Sequence, residues 1–241
     1  MTSYNSCDII CDFDGTATPV DTTDLILARF ALPQWEEVEA QWTSGQITSR
    51  ECMCRQIAML RTDKESLNSL IDEIPLADGF VEFVHFAGQN DLRPHIVSDG
   101  IDYVIRRILS KHGLSEIPVT ANRLMMTEHG FELEFPHCRP LCGYGLCKCD
   151  VAEKSGCRII LIGDGRSDFC LSDRADLVMA RRGKPLESHC REQGRPYKTF
   201  DDFFDIITIF EDGSVIIPGL DRYSRQHAQR RSPSASPMKN Q

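Results

Sequence analysis

Cys11-Asp12-Phe13-Asp14-Gly15-Thr16 places two carboxylates one residue apart, directly after the short apolar stretch Cys7-Asp8-Ile9-Ile10-Cys11. Carboxylates that close repel each other, and burial at a strand end adds a desolvation cost unless a cation or a proton compensates. The string points to a metal, a nucleophile or both; the plainer alternative is a strand that ends in an acidic turn. A second acidic group, Asp164 and Asp168 in Gly163-Asp164-Gly165-Arg166-Ser167-Asp168, follows the apolar run Arg158 to Gly163. Asp164 and Asp168 can cap a following helix, or offer the hard oxygen ligands that Mg²⁺ prefers. His137, Cys138, Cys142, Cys147 and Cys149 form a third concentration of reactive side chains. They could supply a zinc site, although their spacing fits none of the paired Cys-x-x-Cys patterns.

The elements around these residues follow from periodicity and punctuation. Cys7 to Cys11 reads as a buried strand, and Arg158 to Gly163 as a central parallel strand covered on both faces. Between Asp14 and the next strand lie four predicted helices. They run from Thr23 to Leu32, from Gln34 to Ser44, from the Thr48-Ser49-Arg50-Glu51 capping box to about Leu60, and from the similar Thr62 to Glu65 signature to about Ile74. Beyond a helix over 79–89, His95 to Ser98 reads as a strand running into Asp99-Gly100. A helix over Asp102 to His112, a strand over Val119 to Asn122 and a hairpin over Leu124 to Phe135 come next. After the Cys-rich run, Lys148 opens a helix reaching about Ser155. Asp176 to Ala180 reads as a strand, and helices are predicted over 185–193 and 201–210. Val215 to Ile217 reads as an edge strand or an arm.

With these motifs in place, Asp-x-Asp-Gly-Thr resembles the first motif of the haloacid dehalogenase superfamily, whose phosphatases carry it. The resemblance implies that Asp12 is a nucleophile forming an aspartyl-phosphate and that Asp14 is the general acid and base. The dehalogenase branch lacks the second carboxylate, so Asp14 points to phosphoryl transfer. Ser98, followed by Asp99 and Gly100, resembles the second motif, where a hydroxyl and a backbone N–H hold the phosphoryl oxygens. Asp99 departs from the Gly often found there in phosphoserine phosphatases. Lys148 resembles the third motif, whose ammonium neutralises the nucleophile and the phosphoryl oxygens; the alternative is a solvated surface lysine. Asp164 and Asp168 resemble the fourth. The implied cofactor is Mg²⁺, held by Asp12, Asp164 and the Asp14 backbone carbonyl, with Asp168 orienting a metal-bound water or Lys148.

The implied fold is α/β, a doubly wound Rossmann-like parallel sheet with a small helical cap inserted after the first strand. That divides the chain into a core over 1–17 and 79–221, a cap over 18–78 and a disordered basic tail over 222–241. The alternative to a cap is four ordinary helices packed on the main sheet. The insert is similar to that of the phosphoserine phosphatase-like branch. Within it, the Pro-His…Cys-Lys run and Asp21 resemble the enol-phosphate phosphatases of methionine salvage, and the phosphoethanolamine/phosphocholine phosphatases share a Cys-Lys segment. Asp21 takes the position of a substrate-contacting glutamate. Gln56 takes that of a carboxylate-binding arginine, with Arg55 beside it and able to be displaced into the role. A glutamine cannot make the bidentate pair with a carboxylate, so poor phosphoserine turnover is expected. The expected partner is a small phosphorylated metabolite. A non-catalytic regulatory protein on the same fold and a phosphotransferase are the readings from other classes.

Length and charge bound the possibilities. The 241 residues, 41% hydrophobic, suffice for one sizeable core, or for a core domain with a small insert. No apolar run approaches the roughly 20 residues of a membrane span. With the candidate strand starting at about residue 7 there is no room for a signal peptide, so a cytoplasmic location with reduced thiols is expected. The net charge is −9, and residues 222–241 hold five basic and no acidic residues, which leaves the body still more acidic. An acidic body argues against nucleic acid as a partner. No segment marks an oligomeric state.

Overall fold

The structure, a computed structural model, describes residues 7–140 and 142–213. Leu141, the Val215 to Ile217 segment and the predicted tail lie outside the described residues.

Seven strands form one sheet in the order β4-β3-β2-β1-β5-β6-β7. They are β1 (Cys7–Cys11), β2 (Leu92–Ile101), β3 (Val119–Thr127), β4 (Gly130–Glu134), β5 (Arg158–Gly163), β6 (Leu177–Arg181) and β7 (Tyr197–Phe200). All neighbours are parallel except β3 and β4, which form a hairpin. The central strand β1 pairs with β2 on one side and β5 on the other, Cys11 standing opposite both Ile96 and Ile162. The chain order therefore reverses at β1, and in open α/β sheets the crevice beyond the carboxyl ends at such a reversal is where ligands bind.

Both faces of the sheet are covered, as the apolar stretches Ile9 to Cys11 of β1 and Ile159 to Gly163 of β5 require. Ile9, Cys11, Ile160 and Ile162 pack on one face with α5 (Phe80–Gly88), α6 (Asp102–Lys111) and α10 (Phe203–Glu211). Ile10, Ile159 and Leu161 pack on the other with α7 (Lys148–Glu153), α8 (Phe169–Ser172) and α9 (Pro185–Glu192). Phe203 anchors the first layer, its ring centroid 4.9 Å from Phe80 and 5.3 Å from Phe83. Among the described residues no helix is long and apolar enough to cross a membrane.

Four helices stand between β1 and β2 ahead of α5: α1 (Thr22–Phe30), α2 (Trp35–Thr43), α3 (Ser49–Ile57) and α4 (Lys64–Glu73). Asp21 caps α1, accepting from the Asp24 N–H at 3.0 Å, and Thr48 caps α3, accepting from the Glu51 N–H at 3.2 Å. The cap of α4 is Asp63, one residue beyond the expected Thr62, and accepts from the Ser66 N–H at 2.7 Å. The segment leaves and re-enters the core at one point, where the Ala77 N–H donates to the Ala17 carbonyl at 2.8 Å.

Three features differ from the sequence expectation. β3 runs on to Thr127, so the strand and hairpin expected separately are one element. β2 continues through Asp99 and Gly100 to Ile101. The four-residue edge strand β7, paired with β6, was not anticipated.

Candidate active site

Asp12 follows the last residue of β1, and its N–H still donates to the Ile162 carbonyl of β5 at 2.9 Å. That bond aims the carboxylate out of the strand ends. Its Oδ1 accepts from the Phe13 N–H at 2.8 Å. Its Oδ2 lies 2.7 Å from the Lys148 ammonium and 3.4 Å from the Ser167 hydroxyl. Lys148, the first residue of α7, is fully buried, and its Nζ also meets Asp168 Oδ1 at 2.5 Å. Burial alone would lower its pKa, but Asp12 and Asp168 together raise it above the usual lysine range. The lysine is thus a fixed cation at the floor of the site.

Both oxygens of Asp168 are engaged by protein donors. Its Oδ1 takes Lys148, and its Oδ2 accepts the N–H groups of Asp164 and Gly165 at 3.2 and 3.1 Å. It holds the β5 loop and the lysine in one geometry. Asp164 Oδ1 accepts from the Thr16 hydroxyl at 3.0 Å. Its Oδ2 faces Gly15, where an added Cβ would stand only 2.6 Å away. Gly15 also has φ +72°, a conformation that glycine takes without steric cost. The turn it makes is pinned from β6, where Arg181 Nη1 donates to the Gly15 carbonyl at 2.9 Å.

Asp14 is anchored to the start of α1. Its Oδ1 accepts from both the N–H and the hydroxyl of Thr22 at the start of α1, at 2.8 and 2.6 Å. Burial, and then the charge of Asp21, push its pKa well above the ordinary aspartate value against the pull of Thr22. The protonated form is favoured. From β2, Ser98 Oγ accepts from the Gly100 N–H at 3.0 Å, so its own proton is left to donate elsewhere. A Cβ on Gly100 would run into Asp14 Oδ2 and stand 3.1 Å from Ser98 Oγ.

Above this floor opens a cavity of about 420 Å³. Asp12, Asp14, Ser98, Asp99, Gly100 and Asp164 line its base, while Asp21, Asp24, Glu39, Trp42, Met53 and Gln56 line its helical wall. Asp21 is open to the cavity, yet desolvation by its walls, followed by the Asp24 charge, pushes it up to about 6.

Residues 8–200 match the family described as "Putative Phosphatase". A 2-hydroxy-3-keto-5-methylthiopentenyl-1-phosphate phosphatase of Geobacillus kaustophilus (strain HTA426) is 32% identical over 219 residues, spanning 87% of this chain and 97% of the relative. The chain is a phosphatase of the haloacid dehalogenase superfamily. A phosphatase of the same description from Exiguobacterium sp. (strain ATCC BAA-1283 / AT1b) is 31% identical over 83% of this chain and 95% of its own. Two solved structures share the fold. One is a HAD family hydrolase, t0658, from Salmonella enterica subsp. enterica serovar Typhi (TM-score 0.70, 21% identity, 86% of this chain and 72% of that one). The other is a phospho-aspartyl intermediate analogue of phosphoserine phosphatase (TM-score 0.64, 20% identity, 85% and 98%).

The phosphatase gathers Asp12, Asp14, Lys148, Asp164, Asp168, Ser98 and Gly100 at the carboxyl ends of β1, β2 and β5, although they come from segments up to 156 residues apart in the chain. Of the expected substrate contacts, Asp99 lines the cavity but is engaged by protein donors, and Arg55 lies outside it. Asp99 directs its carboxylate to the Ser49 hydroxyl at 3.0 Å, the Asn122 side-chain amide at 3.1 Å and the Leu146 N–H at 2.9 Å. It ties α3, β3 and the Cys-rich loop to the Ser98 turn, and its charge is spent on those donors. Arg55 lies on the exposed side of α3, with Nη1 2.9 Å from Gln41 Oε1, and is not among the residues lining the cavity. The neighbouring Gln56 is buried and faces inward, donating to Glu39 Oε2 at 2.9 Å. Residues that the motifs alone did not single out include Arg166 and Tyr144 in the cavity wall, Thr22 beneath Asp14, and Arg181.

The donor set fits a hard divalent cation. Among the described residues, the group of three or more acidic or soft side chains within common reach of one ion is Asp12, Asp164 and Asp168, with ligand atoms within 4.8 Å of one another. Burial, and then the Asp12 charge, push Asp164 up to about 6. Asp168 already meets three protein donors, and the all-oxygen donors of the cluster suit Mg²⁺. The five His and Cys side chains of the Cys-rich run form no such group, so the zinc alternative finds no ligand set among the described residues.

Proposed function

We propose that the phosphatase hydrolyses a small phosphorylated metabolite through an aspartyl-phosphate on Asp12. A carboxylate oxygen of Asp12 attacks phosphorus in line, and the bond from phosphorus to the alcohol oxygen breaks. Asp14 delivers its proton to that oxygen. Asp14 then takes a proton from a water, whose oxygen attacks phosphorus, releasing phosphate and restoring Asp12. Lys148 holds Asp12 in position and offsets charge on the transferred oxygens, and the Ser98 hydroxyl donates to one of them. Mg²⁺, held by Asp12, Asp164 and the Asp14 carbonyl, would supply further neutralisation of phosphoryl charge. Residues 18–78 act as a cap that selects the alcohol. The observation that carries this reading is the buried ammonium bridging Asp12 and Asp168 beneath a cavity that Asp14 and Ser98 also line. Eleven cysteines, an odd number, fit a reducing, cytoplasmic setting.

For the substrate, we propose the enol phosphate 2-hydroxy-3-keto-5-methylthiopentenyl-1-phosphate. Relatives at about 30% identity bear its name, and Trp42, Met53 and Tyr144 offer apolar surface to a thioether tail. Phosphoserine is disfavoured. No Lys or Arg of α1 to α4 lines the cavity, and Asp21, Asp24 and Glu39 would repel its carboxylate. Those same three acids favour a second reading, an amino-alcohol phosphate such as phosphoethanolamine or phosphocholine. A hydrolysis panel with Mg²⁺ separates them. The expected order is enol phosphate first, amino-alcohol phosphates next and phosphoserine last; phosphoserine as the best substrate would sink the assignment.

A further inference from the structure

The sulfurs of Cys149 and Cys170 lie 3.2 Å apart, Cys149 buried and Cys170 exposed. Cys149 follows Lys148 in α7, and Cys170 stands two residues beyond Asp168 in α8. The two thiols therefore sit on the two short, mutually packed helices whose neighbouring residues form the buried Lys148–Asp168 pair. We infer that Cys149 and Cys170 are a peroxide-responsive thiol pair whose disulfide switches the phosphatase off. The functional half of this inference rests on the proposed role of Lys148; the chemical half does not.

The chemistry needs one named co-reactant, a peroxide. The exposed Cys170 thiolate attacks a peroxide oxygen, the O–O bond breaks, and the departing hydroxide takes up a proton to leave as water. The resulting sulfenic acid is attacked at sulfur by Cys149, which gives up its thiol proton while the sulfenic hydroxyl leaves as a second water. Two thiols lose two electrons in total, and one hydrogen peroxide becomes two waters. The sulfurs are already in contact and need close only by about 1.2 Å to reach the disulfide length of about 2.05 Å. Disulfides that form in a reducing compartment are characteristically transient and redox-sensing.

The cost falls on the catalytic floor. Drawing α7 and α8 together at Cys149 and Cys170 moves the backbone next to Lys148 and near Asp168. The lysine spans Asp12 and Asp168 at 2.7 and 2.5 Å with no slack in either contact. A misplacement of about 1 Å at a reacting centre costs up to about a hundredfold in rate.

The test treats the reduced full-length chain with a modest excess of hydrogen peroxide, alkylates the remaining thiols and maps disulfide-linked peptides by mass spectrometry. Hydrolysis of p-nitrophenyl phosphate is followed in parallel. A Cys149–Cys170 link is expected, together with a loss of kcat of about tenfold or more that dithiothreitol reverses. Cys170→Ser, an exposed substitution, keeps the reduced activity and abolishes the reversible loss. Cys149→Ala serves as the second variant and gives the same protection. Absence of the link in a folded protein overturns the inference, as does a link from Cys170 to Cys142 instead, or a Cys149–Cys170 link with kcat unchanged. The mass map is independent of catalysis, whereas full activity in Lys148→Met would overturn the reading of the site, so the two failures are distinguishable.

Discussion

Replacing Lys148 with methionine removes a buried cation from between two carboxylates while roughly keeping side-chain volume. In the wild type its Nζ is 2.7 Å from Asp12 and 2.5 Å from Asp168, with the lysine and Asp168 side chains fully buried and Asp12 nearly so. Breaking a buried pair by removing one partner costs about 3–5 kcal/mol. For a chain of this size about 1 kcal/mol moves Tm by roughly 2–4 °C, so a fall of about 6–20 °C is expected. The lower end is favoured, because Asp168 retains the two backbone N–H donors of Asp164 and Gly165. Activity should fall further than stability suggests. Loss of one preorganised charge facing a developing oxyanion costs about 10²–10³ in kcat. Urea unfolding and p-nitrophenyl phosphate turnover with Mg²⁺ measure the two effects separately. The double variant Lys148→Met/Asp168→Asn removes the orphaned charge along with its partner. It should regain much of the stability and none of the rate. Recovery of kcat in step with stability would show Lys148 to be structural only and refute the reasoning.

Three further expectations follow from the same geometry. Asp12→Asn keeps the size of the side chain and its bond from the Phe13 N–H, so the variant should fold with a near-native circular dichroism spectrum and show no turnover; measurable hydrolysis would remove Asp12 from the mechanism. Gly100→Ala puts a methyl group into Asp14 Oδ2 and against Ser98 Oγ, and should lower kcat by at least about tenfold through displacement of Asp14, with KM changed less. Asp21, with its pKa at about 6, is largely neutral below that pH and charged above it. The ratio of kcat/KM for an amino-alcohol phosphate to that for an uncharged alkyl phosphate should therefore rise as pH increases through about 6, and should be flat in Asp21→Asn. A flat ratio in the wild type would remove Asp21 from recognition of the alcohol.

Much of the floor of the site was readable because each element that carries it is marked twice. β1 and β5 bury apolar side chains on both faces and each is followed directly by an aspartate, so strand type, burial and chemistry coincide at Asp12 and Asp164. The cavity wall was much less readable. Arg55 and Gln56 differ by one residue, about 100° around α3, and which of them faces inward depends on how the helix packs against α2. Asp99 looked misplaced beside a phosphate because its three donors come from Ser49, Asn122 and Leu146, remote in the chain and invisible to local pattern. β7 escaped notice for a different reason: four residues carry too little alternation to register, and it is a strand only because β6 offers it an edge. The thiols of the Cys-rich run suggested a metal, whereas Cys149 found its contact in Cys170, outside that run.

The helical segment is attached to the rest of the fold at two ends. At one end the chain crosses out and back at Ala17 and Ala77, and α4 is held to α6 by the Arg107–Asp72 pair at 2.6 Å, the Tyr103–Asn68 bond and shared burial of Leu67 and Ile71 with Ile105. At the other, the Ser49 hydroxyl grips Asp99, and the Arg50 N–H reaches the Gly143 carbonyl at 3.3 Å. Together with the packing of α3 against β4 and the burial of Ile57 in the core, those two bonds tie α3 to the end of β2 and to the Cys-rich loop. A serine of the helical segment is thus fastened to the residue beside Ser98, so a shift of α3 is passed directly to the strand end that faces Asp14.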